Sequence, residues 1–425
     1  MSKKKKSPWA VFVAIALAII VGTITGTDKT IFGVTYFSLF DLFGTLFIKA
    51  LMLIVVPLVS AAIITGIARI GNEGAFGRLG AKTFGFYIAT SLLAVLIGLF
   101  FVNLLKPGVS EAITVEIQKA IAANPNIESE FQGVNIKEII LSIIPSNVVE
   151  AFSHGQMLSL IFFSLLFGYA ISKIEAKVGG ILLGFWQGVF QTMIEITHLI
   201  MKVLPIGVFF LVAKVFATTG LESLLPLGLF VVSVVLGLLT FALIGLPLFL
   251  KFIAKVDPFL HFKAMAPALI TAFSTSSSSA TLPITMDCVE KRAGVSNKIC
   301  SLVVPLGTTI NMSGSALYEC VAAMFVAQAY GIELSFLVQF LVVFLALLTS
   351  MGVAGIPSGS LVSIIVILKA IGLPAEGIGL FIAVDRILDM LRTTVNVFSD
   401  SCCAILVAKS EGEKQILTKK NMNYP

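Results

Sequence analysis

The sequence predicts an all-α polytopic membrane protein that contains two re-entrant helical hairpins in opposite orientation. Three observations predict it. The 425 residues are 57% hydrophobic and only 12% charged, with a mean hydropathy of +1.03, whereas soluble domains carry about 25% charged residues. Apolar runs of roughly the 20 residues that a bilayer requires recur along the chain. Two Gly/Ser-rich stretches each divide a pair of apolar arms too short to cross alone.

The first apolar run follows four lysines in "MSKKKKSPWAVFVAIALAIIVGTITG". It is longer than the apolar core of a cleaved leader, so it reads as a retained first helix with a cytosolic N-terminus. Further apolar segments cover 43–70, 83–105, 156–173, 180–217 and 222–253, and kinked or broken helices are expected in 156–217. Arg69, Arg78 and Lys82, then Lys251, Lys255 and Lys263, mark cytosolic loops. The net negative stretch 106–150 belongs outside, and the C-terminal tail is cytosolic. The net charge of +6 is therefore a matter of topology and not a nucleic-acid footprint; membrane lipid is the expected surrounding. Cys288, Cys300, Cys320, Cys402 and Cys403 lie in or beside apolar segments and suggest no disulfide framework. His154, His198 and His261 are scattered without metal-ligand spacing.

Residues 256–292 carry "FKAMAPALITAFSTSSSSATLPITMDCVEKR", two short apolar arms around a serine tip with basic flanks. This is a hairpin entering from the cytosol. Residues 335–372 repeat the pattern around "MGVAGIPSGS", with acidic flanks that place its entry outside. Each hairpin precedes a polar-interrupted span, 298–328 and 377–408. Such inverted repeats in transporters put substrate near the midplane, on loops and unwound helix ends; close helix packing is the competing reading of the small residues.

In the last span Asp385, Asp389, Arg392, Asn396 and Asp400 are spaced i, +4, +7, +11 and +15. At about 100° per residue they share a stripe roughly 80° wide, with Ile387, Leu391, Val395 and Val397 largely off it. The stripe serves a charged ligand or an internal ion-pair network. Arg392 offers a planar fork for a carboxylate; Asp389 offers a negative charge for an ammonium; Thr393 and Asn396 add polar groups. A ligand with two carboxylates and one amine, an acidic amino acid, fits this set. Its second carboxylate suits the hairpin tip at Ser276, Ser277 and Ser278, where helix N-termini favour anions. Asp400 with carbonyls around Gly307 and Asn311 gives hard oxygen ligands for an alkali cation.

Four motifs, "SSSSATLPIT" (277–285 with its preceding serine), "PLGTTINMSGSALYE" (305–319), "GVAGIP" (352–357) and "LDMLRTTVNVFSD" (388–400), resemble in order and spacing those of the dicarboxylate/amino acid:cation symporter family. That family includes bacterial glutamate/aspartate symporters and animal excitatory amino acid transporters. The resemblance implies eight transmembrane helices plus two re-entrant hairpins, assembled as a homotrimer. It assigns residues 1–70 and 111–218 to a scaffold, 71–110 and 219–410 to a transport domain, and 411–425 to a cytosolic tail. It further implies an elevator mechanism at the plasma membrane, gated on the outside by the second hairpin, with Na+ as the coupling ion and no catalytic residue.

Carried over residue by residue, the resemblance gives Arg392 the substrate's side-chain carboxylate and Asp389 its amine. Thr393, Asn396, Ser278 and Ser315 supply polar contacts, and the tip at Gly355 and Ile356 covers the ligand. One sodium site would use Asp400, Gly307, Asn311 and Asn396. A second would use Thr309, Met312, Ser350, Met351 and Val353, and a third Tyr87, Thr90, Ser91 and Asn311.

Three departures from the pattern bear on these roles. The motif usually reads Asn-Met-Asp-Gly-Thr, but residues 311–315 read Asn-Met-Ser-Gly-Ser, which removes a carboxylate from the third site at Ser313. An arginine found elsewhere in the family at the first hairpin tip or directly after the equivalent of Asp389 is replaced by Ser276 and Met390. Arg386 either substitutes for it or pairs with Asp385 or Asp389. Glu319 matches a glutamate used by animal members in proton and potassium handling; it is either a proton carrier or a partner for Arg386. Retention of both Arg392 and Asp389 favours an acidic amino acid over the neutral and dicarboxylate substrates of other members. A substrate-gated anion channel and an intramembrane protease are the readings from other classes.

Overall fold

Hydrocarbon offers no hydrogen-bond partners, so a chain this apolar satisfies its backbone internally, as helix. The computed structural model describes residues 9–72, 77–109, 141, 143–154, 156–220, 224–351 and 359–417. Helices α1 (Trp9–Thr25), α2 (Tyr36–Asn72) and α3 (Gly77–Leu105) open the chain. Between α1 and α2 lies a two-residue antiparallel hairpin, β1 (Thr30–Ile31) with β2 (Val34–Thr35), which apolar patterning does not foreshadow. Then come α4 (Val148–His154), α5 (Met157–Ile171), α6 (Ala176–Met201) and α7 (Leu204–Thr219). The expected breaks in 156–217 fall after Ile171 and at Lys202–Val203, where α6 and α7 meet at 61°. Most of the stretch 106–150, expected outside, falls beyond the described residues.

Helix α8 (Leu224–Thr240) continues through π-helical turns on either side of Pro247 to Ala254, and Lys255 ends it in the left-handed region. Hairpin 1 is α9 (Pro258–Thr275) and α10 (Ser278–Asp287), with Asp257 capping its entry by accepting from the Phe259 N–H. The first interrupted span is α11 (Asn297–Ile310) and α12 (Ser313–Ala329), parted by the non-helical Asn311 and Met312. Hairpin 2 is α13 (Phe336–Ser350) and α14 (Ser360–Ala370). The chain ends in α15 (Ile382–Ser410).

Among the described residues, five helices are long and apolar enough to cross a membrane. The two with polar interruptions lie inside: the most apolar windows of Asn297–Ala329 and Ile382–Ser410 are 100% and 83% buried, against 33% for Arg78–Leu105 and 39% for Leu225–Ala254. Helix α1 packs on α7, and α2 on α5, α6 and α7; α12 packs on α3, α8, α13, α14 and α15, and α15 on α9 and α11. The functional candidates thus sit in the second of two packing groups.

Beyond α15 the chain folds back. Glu411 accepts from Lys82 and Arg78 at the start of α3. Glu413 accepts from the Ser296 N–H ahead of α11, and the Leu417 N–H donates to Ala293. Ile416 and Leu417 are buried. The hydrogen bonds from Lys82 and Arg78 hold the Glu411 carboxyl below its ordinary range.

Candidate functional site

Helix α15 brings Asp385, Asp389, Arg392, Asn396 and Asp400 inward together, and all five are buried. Of the residues expected off the stripe, Ile387 is 48% exposed, but Val395 and Val397 are buried, because neighbouring helices enclose this part of α15 on several sides. Arg392 is wholly buried. Its Nη2 donates to Asp385 Oδ1 at 3.0 Å and Asp389 Oδ1 at 2.9 Å, while Nε and Nη1 have no partner among the described residues. Asp389 also meets Arg386 Nη1 at 3.4 Å. A buried guanidinium demands counter-charge, and two aspartates with two arginines sum to zero.

The guanidinium also rests on an aromatic face, its Cζ 3.8 Å from the centre of the Tyr318 ring. Tyr318 donates its hydroxyl to Asp385 Oδ1 at 2.9 Å. Phe230 and Phe381 back the ring, at centroid distances of 6.0 and 6.1 Å. Tyr318 is therefore a part of the site that sequence reasoning missed, and Asp385, read only as a stripe residue and a partner for Arg386, is a counter-ion of Arg392. The signal for Asp385 was its place on the stripe. An aromatic residue in an apolar helix gives none.

The break between α11 and α12 lies against Asn396. Its Oδ1 accepts from the Gly314 N–H at 2.8 Å and its Nδ2 donates to Ser315 Oγ at 3.1 Å. A Cβ at Gly314 would stand 2.9 Å from the Arg392 carbonyl, so glycine permits this approach. Thr393 is buried alongside. At the tip of hairpin 1, Ser276 takes φ +49°, is buried, and has an unpartnered Oγ. Ser277 caps α10 by accepting from the Ala280 N–H, and Ser278 is buried as its first residue. The tip presents an orphaned hydroxyl at a helix N-terminus, and α10 packs on α15.

A second polar group lies toward the C-terminal half of α15. Asp400 Oδ1 accepts from Asn311 Nδ2 at 2.9 Å. A Cβ on Gly307 would fall 2.5 Å from the same oxygen; only glycine leaves this carboxylate its room. A carboxylate is a hard oxygen donor of the kind an alkali cation takes, and Asn311 turns its Nδ2 to it and its Oδ1 to the neighbouring hydroxyls. Beside it, Ser91 and Ser313 hydroxyls lie 3.0 Å apart, Ser313 donates to Asn311 Oδ1 at 3.0 Å, and Thr90 and Ser91 reach the same oxygen at 3.4 and 3.3 Å. Ser313 and Ser399 are 3.1 Å apart. Tyr87 donates to the Val303 carbonyl. Hydroxyls bonded to one another thus fill the third expected cation site, with no carboxylate of its own.

Of the second expected cation group, Met312 and Ser350 are buried, and the Thr309 hydroxyl bonds within its own helix to Leu306. Met351 lines a pocket with Tyr87, Ser91 and Ile310, so the second and third groups adjoin. Val353, Gly355 and Ile356 lie outside the described residues. Glu319 is buried between α12 and hairpin 2, where its Oε2 accepts from Thr349 at 2.9 Å. No ion pair joins it to Arg386 among the described residues; Arg386 pairs with Asp389.

Residues 9–410 match the model of the sodium:dicarboxylate symporter family. The chain belongs to that family. It is 34% identical over 407 residues to a proton/glutamate-aspartate symporter of Escherichia coli (strain K12), covering 95% of this chain and 92% of the relative. It is 35% identical over 406 residues to a proton/sodium-glutamate symport protein of Bacillus caldotenax, covering 95% and 94%. It is 33% identical over 440 residues to excitatory amino acid transporter 3 of Mus musculus, covering 93% and 84%. As a sodium:dicarboxylate symporter family member, the chain is an integral membrane protein and a secondary transporter, not an enzyme.

Proposed function

We propose that this chain takes up glutamate or aspartate across the plasma membrane with Na+, and with a proton carried by Glu319. The observation that carries the reading is the wholly buried Arg392 guanidinium, bonded through Nη2 to two aspartates, with Nε and Nη1 unpartnered among the described residues. Donors without acceptors in a dry site are costly; Nε and Nη1 lie on different edges of the guanidinium, so an incoming carboxylate takes one of them in a fork with Nη2, displacing an aspartate oxygen there. Asp389, which Arg392 and Arg386 share, turns to the substrate's ammonium as the incoming carboxylate takes over Arg392. The other carboxylate is received by Ser276 and Ser278 at the tip of hairpin 1.

Charge explains the coupling. Asp385, Asp389, Arg386 and Arg392 sum to zero, so an acidic amino acid brings an uncompensated −1 into a low-dielectric site. Na+ at Asp400, with Gly307, Asn311 and Asn396, neutralises that helix's remaining carboxylate. A further Na+ at Thr309, Met312, Ser350 and Met351 offsets the substrate. Each positive charge moved inward in excess gains about 2.3 kcal/mol per 100 mV.

In this reading α3, α8, both hairpins, α11, α12 and α15 move as a transport domain against a trimeric scaffold of α1, α2 and α5–α7. Hairpin 2 is the outer gate, and both termini are cytosolic. The test is uptake of labelled glutamate and aspartate into proteoliposomes under imposed sodium and pH gradients. Arg392→Cys should abolish acidic uptake, with neutral uptake gained in its place; unchanged glutamate transport by that variant would overturn the assignment. Substrate-stimulated current without accumulation of label would instead indicate a channel.

A further inference from the structure

The Thr349 hydroxyl carries one proton but stands between two oxygens, 2.9 Å from Glu319 Oε2 and 2.8 Å from the Leu345 carbonyl one turn earlier in α13. When Glu319 is ionised both neighbours are acceptors, and a single hydrogen cannot serve both well. When Glu319 holds a proton on Oε2, the chain closes: Glu319 donates to Thr349 Oγ1, and Thr349 donates to Leu345. Loss of the proton turns the hydroxyl from its own helix toward the carboxylate. Its direction therefore follows the charge on Glu319.

Thr349 is placed to pass that change on. It lies in the last turn of α13, directly before Ser350 and Met351, and its carbonyl accepts from Ser363 Oγ of α14 at 3.4 Å. One residue thus touches Glu319 and both arms of hairpin 2. The charged group facing Glu319 is Arg392 on α15, and its titratable neighbour on α12 is Cys320; α13 and α14 bring hydroxyls, Thr349 from one and Ser360 and Ser363 from the other. Helix α3 meets α12 at Leu317 and Val321, about 160° around from Glu319 at 100° per residue, and α8 meets it at Leu317 and at Tyr318, about 100° around.

We infer that Thr349 is a positioning residue that links the protonation of Glu319 to the seating of hairpin 2. The inference rests on Glu319 being the proton carrier, and the experiment separates the two. The full chain in liposomes, under a fixed sodium gradient, is assayed for labelled aspartate uptake across a pH series. Glu319→Gln should flatten the profile. Thr349→Val removes the hydroxyl at constant shape, and the stronger of its two bonds is the one to an ionised acceptor. Uptake should then persist to a higher pH, its midpoint moved by about one unit, a tenfold lower proton concentration. Thr349→Ser should restore the original midpoint, which a merely structural role would not require.

A flat Glu319→Gln profile with an unmoved Thr349→Val midpoint overturns the Thr349 inference alone. A Glu319→Gln profile that keeps its pH dependence overturns the proton assignment and this inference with it. Infrared difference spectra give a second readout, with Thr349→Ala in reserve should the valine variant not assemble. The carboxyl band lost in Glu319→Gln should shift in either hydroxyl-less variant, and an unshifted band overturns the inference.

Discussion

The Arg392 guanidinium lies over the ring of Tyr318, whose hydroxyl is bonded to Asp385, the same carboxylate that meets Arg392 at 3.0 Å. The three side chains form a closed triangle that fixes the fork before any ligand arrives. A hydrogen bond to a charged group contributes about 1.5–3 kcal/mol. Tyr318→Phe keeps the ring and loses that bond, so the KM for acidic substrate should rise roughly tenfold to a hundredfold. Tyr318→Leu also loses the cation–π contact, about 0.5–2 kcal/mol, and should be worse. Uptake titrations with each variant check the order.

Gly307→Ala tests the cation cradle. Its methyl would stand 2.5 Å from Asp400 Oδ1 and 3.1 Å from the Tyr87 hydroxyl, so the carboxylate must move. The sodium concentration for half-maximal uptake should rise about tenfold or more, the equivalent of roughly 1.4 kcal/mol. A sodium titration at saturating substrate measures it.

Ser313→Asp tests the hydroxyl cluster. The substitution returns a carboxylate beside Ser91 and Asn311, where hydroxyls now satisfy one another. A buried carboxylate there needs a cation. The charge carried per substrate, read from reversal potentials in proteoliposomes, should rise by one.

The Glu411 latch should depend on pH and salt. Because Lys82 and Arg78 lower the carboxyl from its ordinary 4.5, its contribution is complete above that value. It is lost as pH falls through the lowered folded value. Salt weakens it at any pH, since Arg78 is exposed and Lys82 and Glu411 are only half-buried. Hydrogen exchange of residues 411–417 should accelerate at acid pH or high salt, and Glu411→Gln should remove the acid effect.

Much of this was legible in the residues. Arms too short to span, twice, gave the hairpins, and the spacing from Asp385 to Asp400 gave the inward face of α15. Periodicity names a face but not the partner across it, so Asp385 appeared without its role as counter-ion to Arg392. Tyr318 sits one residue before Glu319 among small apolar residues, and nothing in that string separates a stacking platform from core. That Glu319 meets Thr349, while Arg386 pairs with Asp389, was likewise a matter of three-dimensional packing. Ser313 was readable as a missing carboxylate; that its hydroxyl joins those of Ser91 and Ser399 was not.

The folded-back tail has a practical side. With Ile416 and Leu417 buried and Leu417 tied to Ala293, a reporter or affinity label spliced in upstream of residue 417 would pry apart the start of α3, the end of hairpin 1 and the start of α11. Attachments belong after that leucine, and a cysteine pair bridging it to residue 293 offers a handle for holding this end shut while the opposite end is left to work.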